Sequence, residues 1–175
     1  ANLQIKELKK IKKVFNKSFI EAVDLILNCR GKVIFAGIGK SGLIARKISA
    51  TFSSVGIPSF FCDPAQALHG DMGQIERKDI LIIFSYSGNT SELTNMLKYA
   101  NRFRIKIIGV ASKSESLLLK ASDIKILLPK VKESDVTGMV PTSSTSITLL
   151  LGDCLATTVI SKRKFSKEKF KIFHP

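Results

Sequence analysis

Three short stretches of this 175-residue chain carry residue types suited to holding a phosphate; the first two each leave an apolar run, and all three enter a helical one. The first is Gly37-Ile38-Gly39-Lys40-Ser41-Gly42. Its GxGxxG spacing lets a backbone approach a phosphate at a helix N-terminus. It is not a P-loop, which would need glycine at position 34, where isoleucine stands. Asp63 sits where a ribose-binding acid would follow a second strand, so this loop alone admits a dinucleotide, or glycines that serve only helix–strand packing. The second stretch, Ser85 to Glu92, offers the hydroxyls of Ser85, Ser87, Thr90 and Ser91, with Gly88 between them. Four hydroxyls in seven residues exceed what one helix cap uses, and with the free N–H groups of a helix start they make a phosphate cradle without arginine. The third, Pro141-Thr142-Ser143-Ser144-Thr145-Ser146, precedes a long apolar segment. A dinucleotide has no use for the second and third loops, whereas hydroxyl-rich loops meeting at one crevice suit a small phosphorylated polyol or sugar.

Bringing the loops together requires elements that end side by side. Apolar runs rich in Val, Ile and Phe occur at Val33–Ala36, Ser59–Cys62, Ile80–Phe84, Ile105–Val110 and Ile124–Leu128. Between them lie helical stretches at Ser41–Val55, Ala65–Gly70, Thr90–Phe103 and Glu115–Ala121, and a last helix is expected over Ser144–Ser161. Alternation of this kind predicts a parallel sheet covered on both faces, an α/β fold of three layers with five strands. Ligands of such sheets bind beyond the carboxyl ends of the strands. Residues 3–28 read as one amphipathic helix, with Leu8, Ile11, Phe15, Phe19, Ala22, Val23 and Ile26 on its inner face and lysines on the solvated one.

Net charge is +14, with a hydrophobic share of 45%. That balance invites a nucleic-acid reading. Residues 1–30 hold a net +4 and residues 162–175 a net +5, so the body of the chain is close to balanced. No aromatic-plus-basic stacking motif appears there, and nucleic acid is not an expected partner. Cys29, Cys62 and Cys154 are too few and too scattered for a disulfide framework or a metal site; Cys62 and Cys154, in apolar runs, are expected to be buried thiols, and a reducing compartment follows. The apolar segment Ile147–Ile160 is broken by Asp153 and falls short of the ~20 residues of a membrane span. No N-terminal stretch resembles a secretion signal. A single cytoplasmic domain over 1–175 is the expectation, with no membrane association.

The motifs together carry a resemblance: Gly-x-Gly-Lys-Ser-Gly, then Pro-Ala-x-x-x-His-Gly-Asp from Pro64 to Asp71, Ser-x-Ser-Gly at 85–88, Pro-Thr-Ser-Ser-Thr at 141–145 and a terminal His174-Pro175. In combination they resemble the sugar isomerase (SIS) domain of D-arabinose-5-phosphate isomerases over essentially the whole chain. The resemblance implies a flavodoxin-like SIS fold, a homotetramer with active sites shared between subunits, and interconversion of ribulose 5-phosphate and arabinose 5-phosphate, towards the lipopolysaccharide sugar Kdo. Two departures stand out. Tyr86 and Asn89 occupy positions where such isomerases often have Asn and Glu, and many members continue past the His-Pro pair into two CBS domains.

Aldose–ketose isomerisation moves a proton between C1 and C2 through an enediol(ate), and needs a base, a proton shuttle and stabilisation of the oxyanion. Both histidines of the chain, His69 and His174, fall in the quoted motifs. By resemblance, Glu92 and Glu133 are the candidate bases, with the choice between them open, and a histidine opens the ring or shuttles protons. Lys40 contacts the substrate and steadies enediolate charge. Gly39, Lys40, Ser41, Ser85, Ser87, Thr90, Thr142, Ser143 and Ser144 are the expected phosphate- and sugar-binding residues. The chemistry needs neither metal nor cofactor. Another SIS-type phosphosugar isomerase, or a sugar-phosphate sensor without catalysis, shares the same motifs.

Overall fold

A computed structural model describes residues 1–173. Five parallel strands, β1 (Val33–Gly37), β2 (Ser59–Cys62), β3 (Ile80–Phe84), β4 (Lys106–Ala111) and β5 (Ile124–Leu127), form one sheet in the order β2-β1-β3-β4-β5. This is the flavodoxin-like order, in which the chain leaves β1 towards one edge and returns as β3 on its other side. Every residue of β1 and β3 is buried. Val33 and Phe35 face one core with Ile48, Phe52, Leu151 and Leu155, while Ile34 and Ala36 face the other with Met96, Leu97 and Leu118. Burial on both faces is why these strands read as unbroken apolar runs rather than alternating ones.

On the first face pack α2 (Lys17–Leu27), α3 (Gly39–Ser54) and α6 (Ser143–Lys162); α4 (Leu93–Arg102) and α5 (Leu117–Ala121) cover the second. The expected N-terminal helix is divided. α1 (Asn2–Leu8) and a 3-10 segment, Lys9–Val14, precede a break at Phe15, after which the Asn16 side chain accepts the Ser18 N–H (2.9 Å) and starts α2. Asparagine is a strong N-cap, and here local capping overrides a continuous apolar stripe. The expected helix at 65–70 is a 3-10 turn, Gln66–His69, stopped by Gly70 at φ +118°.

α6 is 20 residues long and apolar enough to cross a membrane by length and composition. Its inner face nevertheless lies in the core through Ile147, Leu151, Leu155 and Val159, with Gly152 against Ile48 of α3. At the amino-terminal end of the sheet, α7 (Lys167–Phe173) folds back so that Phe173 covers Gly56, and Arg163 donates to the Gly56 carbonyl (3.2 Å).

Two glycines of the first loop serve packing. A Cβ on Gly42 would lie 2.6 Å from the Gly37 carbonyl oxygen, and one on Gly37 would lie 2.9 Å from that of Phe84. Alanine normally favours a helix interior over glycine by ~1 kcal/mol. Here the clash dominates, so Gly42→Ala is expected to lower stability by roughly 1–3 kcal/mol, read as a fall in the urea midpoint at unchanged m-value.

Candidate active site

A cleft of about 950 Å³ opens beyond the carboxyl ends of β1 and β3, where the strand order reverses. Ile38, Lys40 and Ser41 line it from the start of α3, and Ser85, Tyr86, Ser87 and Thr90 from the loop after β3. The chain between β5 and α6 closes the far wall with Glu133 and Asp135, and Ser144, Thr145 and Thr148 follow on α6.

The two phosphate-cradle walls differ in how far their polar groups are already engaged. In the loop after β3, the Ser85 and Thr90 hydroxyls share a hydrogen bond (2.9 Å), Ser85 Oγ accepts the Gly88 N–H (3.1 Å) and Ser87 Oγ accepts the Asn89 N–H (3.3 Å). Gly88 takes φ +70°, and a Cβ there would meet Ser116 Oγ at 2.3 Å, so this turn admits glycine alone. The N–H groups of Ser87 and Thr90 have no intramolecular partner among the described residues. Lys40 is exposed and forms no ion pair among the described residues. This wall is a nest of donors beside a cation, the electrostatics a phosphate requires.

The opposite wall carries two carboxylates, Glu133 and Asp135, against one cation, Lys132. Glu133 Oε2 accepts the N–H groups of Thr142 (2.8 Å) and Ser144 (3.2 Å) and the Thr142 hydroxyl (3.0 Å). Glu133 is therefore the cap of α6, nine residues upstream of the first N–H that it holds. Partial burial works against its charge, but hydrogen bonds from the Ser144 hydroxyl, the Thr142 and Ser144 N–H groups and the Thr142 hydroxyl outweigh that and hold the carboxyl below its ordinary value. The third hydroxyl cluster consequently does not offer its helix N-terminus to a ligand.

The expected site residues divide accordingly. Lys40, Ser41, Ser85, Ser87, Thr90, Glu133 and Ser144 meet in the cleft. Gly39 adjoins it at φ +57°. Thr142 is spent on Glu133 and on the Ser134 N–H (2.8 Å), and the Ser143 hydroxyl is fully buried and has no partner among the described residues. Neither of these two lines the cleft. His69 and Glu92 are exposed outside it, and the Glu92 carboxyl is lowered by its own N–H and by the Ser91 hydroxyl. His174 lies outside the described residues. Asp63, the candidate ribose acid, instead accepts the Ala65 N–H (2.9 Å), and Asn89 accepts the Leu117 N–H (2.9 Å) at the start of α5.

Tyr86 and Asp135 are cleft residues that sequence reasoning did not single out as such. The Tyr86 hydroxyl accepts the Val131 N–H (2.9 Å) and donates to the Pro129 carbonyl (3.3 Å). Asp135 organises the loop beyond by accepting the Thr137 (2.9 Å) and Val140 (3.1 Å) N–H groups. Tyr86 had a signal, its place inside Ser-x-Ser-Gly; Asp135 had none, because its partners lie in an irregular loop. Cys62 is buried, which pushes its thiol up to about 11, while Cys29 and Cys154 are half-buried.

Residues 26–158 match the model of the SIS domain family. The arabinose 5-phosphate isomerase KdsD of Shigella flexneri is 39% identical over 168 residues, which cover 96% of this chain and 51% of that protein. A protein of Rickettsia prowazekii is 44% identical over 157 residues, 90% of this chain and 49% of its own length. The chain thus spans about half the length of the curated relatives it matches. Among solved structures, a protein of Escherichia coli CFT073 in complex with arabinose 5-phosphate superposes with a TM-score of 0.90 at 35% identity, over 97% of this chain and 92% of that one. The family match across the sheet and cleft, with that superposition, shows that the chain belongs to the SIS domain family.

Proposed function

We propose that the chain interconverts D-ribulose 5-phosphate and D-arabinose 5-phosphate through an enediol(ate), on the route towards Kdo and lipopolysaccharide, in the cytoplasm. The observation that carries this reading is the polarity of the cleft: donors and Lys40 on one wall, and on the other the carboxylates of Glu133 and Asp135, which outnumber Lys132. A sugar phosphate binds with its dianion against Ser85–Thr90 and Lys40, because the α6 end already holds a carboxylate and repels a second anion. Its C1–C2 end then faces Glu133. That carboxylate is ionised and immobilised by its capping bonds, so it stands ready to take the proton shared between C1 and C2. Lys40 offsets the charge of the enediolate. Family membership and the name of the Shigella relative support the substrate.

The remaining candidates fit a shared site in a homotetramer. Phe173 packs on Gly56 at the amino-terminal end of the sheet, a strand length or ~16 Å from the cleft end. The resemblance assigns His174 to a cleft shared with another copy. His69 and Glu92 take the same role, and Leu43 and Leu68, 68% and 48% exposed, are apolar surface that a neighbouring copy would cover.

Turnover of ribulose 5-phosphate, beside a panel of ketose phosphates, tests the reading. Glu133→Gln is expected to lower kcat by ~10²–10⁴-fold, the usual worth of a positioned base. Lys40→Ala is expected to lower kcat/KM by at least ~10²-fold. Wild-type activity in both variants, or binding of the sugar phosphate without turnover by the wild type, would refute it. Glu133 also contributes to folding. Its carboxyl is lowered from 4.5, so its stabilisation is present above that pH and is lost as pH falls through the lower folded value. Glu133→Ala should be less stable than wild type by about 1 kcal/mol at pH 7, and the gap should close in acid, as read by urea unfolding.

A further inference from the structure

α1 and the 3-10 segment after it lie outside residues 26–158, the part that matches the family model, yet their side chains reach the strap that carries Glu133. The last ladder-like bond of β5 runs from the Leu128 N–H to the Ala111 carbonyl (2.8 Å), and residues 129–134 continue with no strand paired to them among the described residues. Without a ladder, each buried N–H of this segment requires a partner from elsewhere. Side chains supply these partners from both sides. Tyr86 takes the Val131 N–H from beneath the cleft (2.9 Å). Glu7 Oε2 takes the next, that of Lys132, from the N-terminal helix (3.0 Å).

Glu7 is itself held in place. Its side chain is 4% exposed, and Lys10 pairs with Oε2 at 2.5 Å while donating to the Lys130 carbonyl (3.2 Å). Gln4 donates to the Ser146 hydroxyl on the first turn of α6 (2.6 Å), and Leu3 forms part of the cleft wall. A carboxylate is costly to bury between exposed lysines such as Lys6 and Lys9, unless its hydrogen bonds are needed where it sits. The bond it makes falls one residue before Glu133.

We propose that Glu7 is a positioning residue for the active site: its grip on the Lys132 N–H, opposed by Tyr86, sets the strap so that Glu133 faces the cleft and caps α6. The N-terminal helix is thereby part of the catalytic apparatus. This rests on Glu133 acting as the base. Removing Glu7 frees the Lys132 N–H and Lys10 together, and the strap gives way at Glu133. Glutamine at position 7 retains the oxygen that accepts the N–H and loses only the ion pair.

The test compares wild type, Glu7→Ala and Glu7→Gln in the full chain by hydrogen–deuterium exchange and by ribulose 5-phosphate kinetics. In Glu7→Ala the amides of Val131, Lys132, Thr142 and Ser144 should exchange at least tenfold faster than in wild type, with β1 and β3 unchanged. Its kcat should fall by about 10- to 100-fold, the cost of misplacing a catalytic group by an ångström, with KM within about threefold. Glu7→Gln should restore both readouts to within about threefold of wild type. Unchanged exchange at those amides, faster exchange throughout the sheet, or local loosening with wild-type kcat would each overturn the proposal. If the wild type itself does not turn over ribulose 5-phosphate, the isomerase reading fails on its own, and the exchange result still decides whether Glu7 sets the strap.

Discussion

The arrangement depends on a central pair of strands that have no free face. β1 and β3 are buried throughout, so no side chain along them is available for chemistry, and polar function is driven to their carboxyl ends. Because the chain passes from β1 to one edge and comes back on the other side as β3, the two loops that follow these strands diverge and leave a gap between them. The width of that gap is set by how closely α3 approaches β1. Gly42 lies against the Gly37 carbonyl with no room for a methyl group, which fixes the start of α3, and with it Lys40 and Ser41, at the rim.

The second organising feature is a helix that supplies its own anion. An α-helix N-terminus attracts negative charge, and the long α6 would be a natural seat for a phosphate. Glu133 occupies that seat through the Thr142 and Ser144 N–H groups. One carboxylate thus caps the helix, anchors an irregular strap and gives the cleft a negative wall facing a positive one. Polarity of this kind orders an elongated dianionic ligand end to end without a dedicated arginine. The net charge of +14, concentrated in the two terminal segments, adds a general attraction for such a ligand but does not select its orientation.

Some of this was legible in the chain and some was not. The strands Ser59–Cys62 and Ile80–Phe84 stand where their apolar runs predict, and β1 differs by one residue, because full burial leaves an unambiguous trace in composition. The loop Ser85–Thr90 was readable as a cradle because its glycine and hydroxyls are contiguous. The N-terminal helix reads as continuous in sequence and is not: its apolar spacing persists through Phe15 and Asn16, and only the Asn16–Ser18 bond reveals the break. Glu7 was hidden for a related reason. A glutamate among lysines looks solvated, and the group that draws it inward, the Lys132 N–H, lies 125 residues away.

The division follows from the range of the forces. Sequence alone determined the three-layer α/β class, the strands and the hydroxyl-rich loops at their ends, since burial, glycine conformation and helix starts are set by neighbouring residues. It also determined that the charge lies at the ends of the chain. Only the tertiary structure decided which polar groups remain for a ligand. Thr142 and Ser143 share a motif with Ser144, yet one is consumed by Glu133, one is sealed in the core, and only the third reaches the cleft. A side chain's hydrogen bonds are allotted by whatever the fold brings within about 3 Å of it, and that allotment has no counterpart in linear spacing.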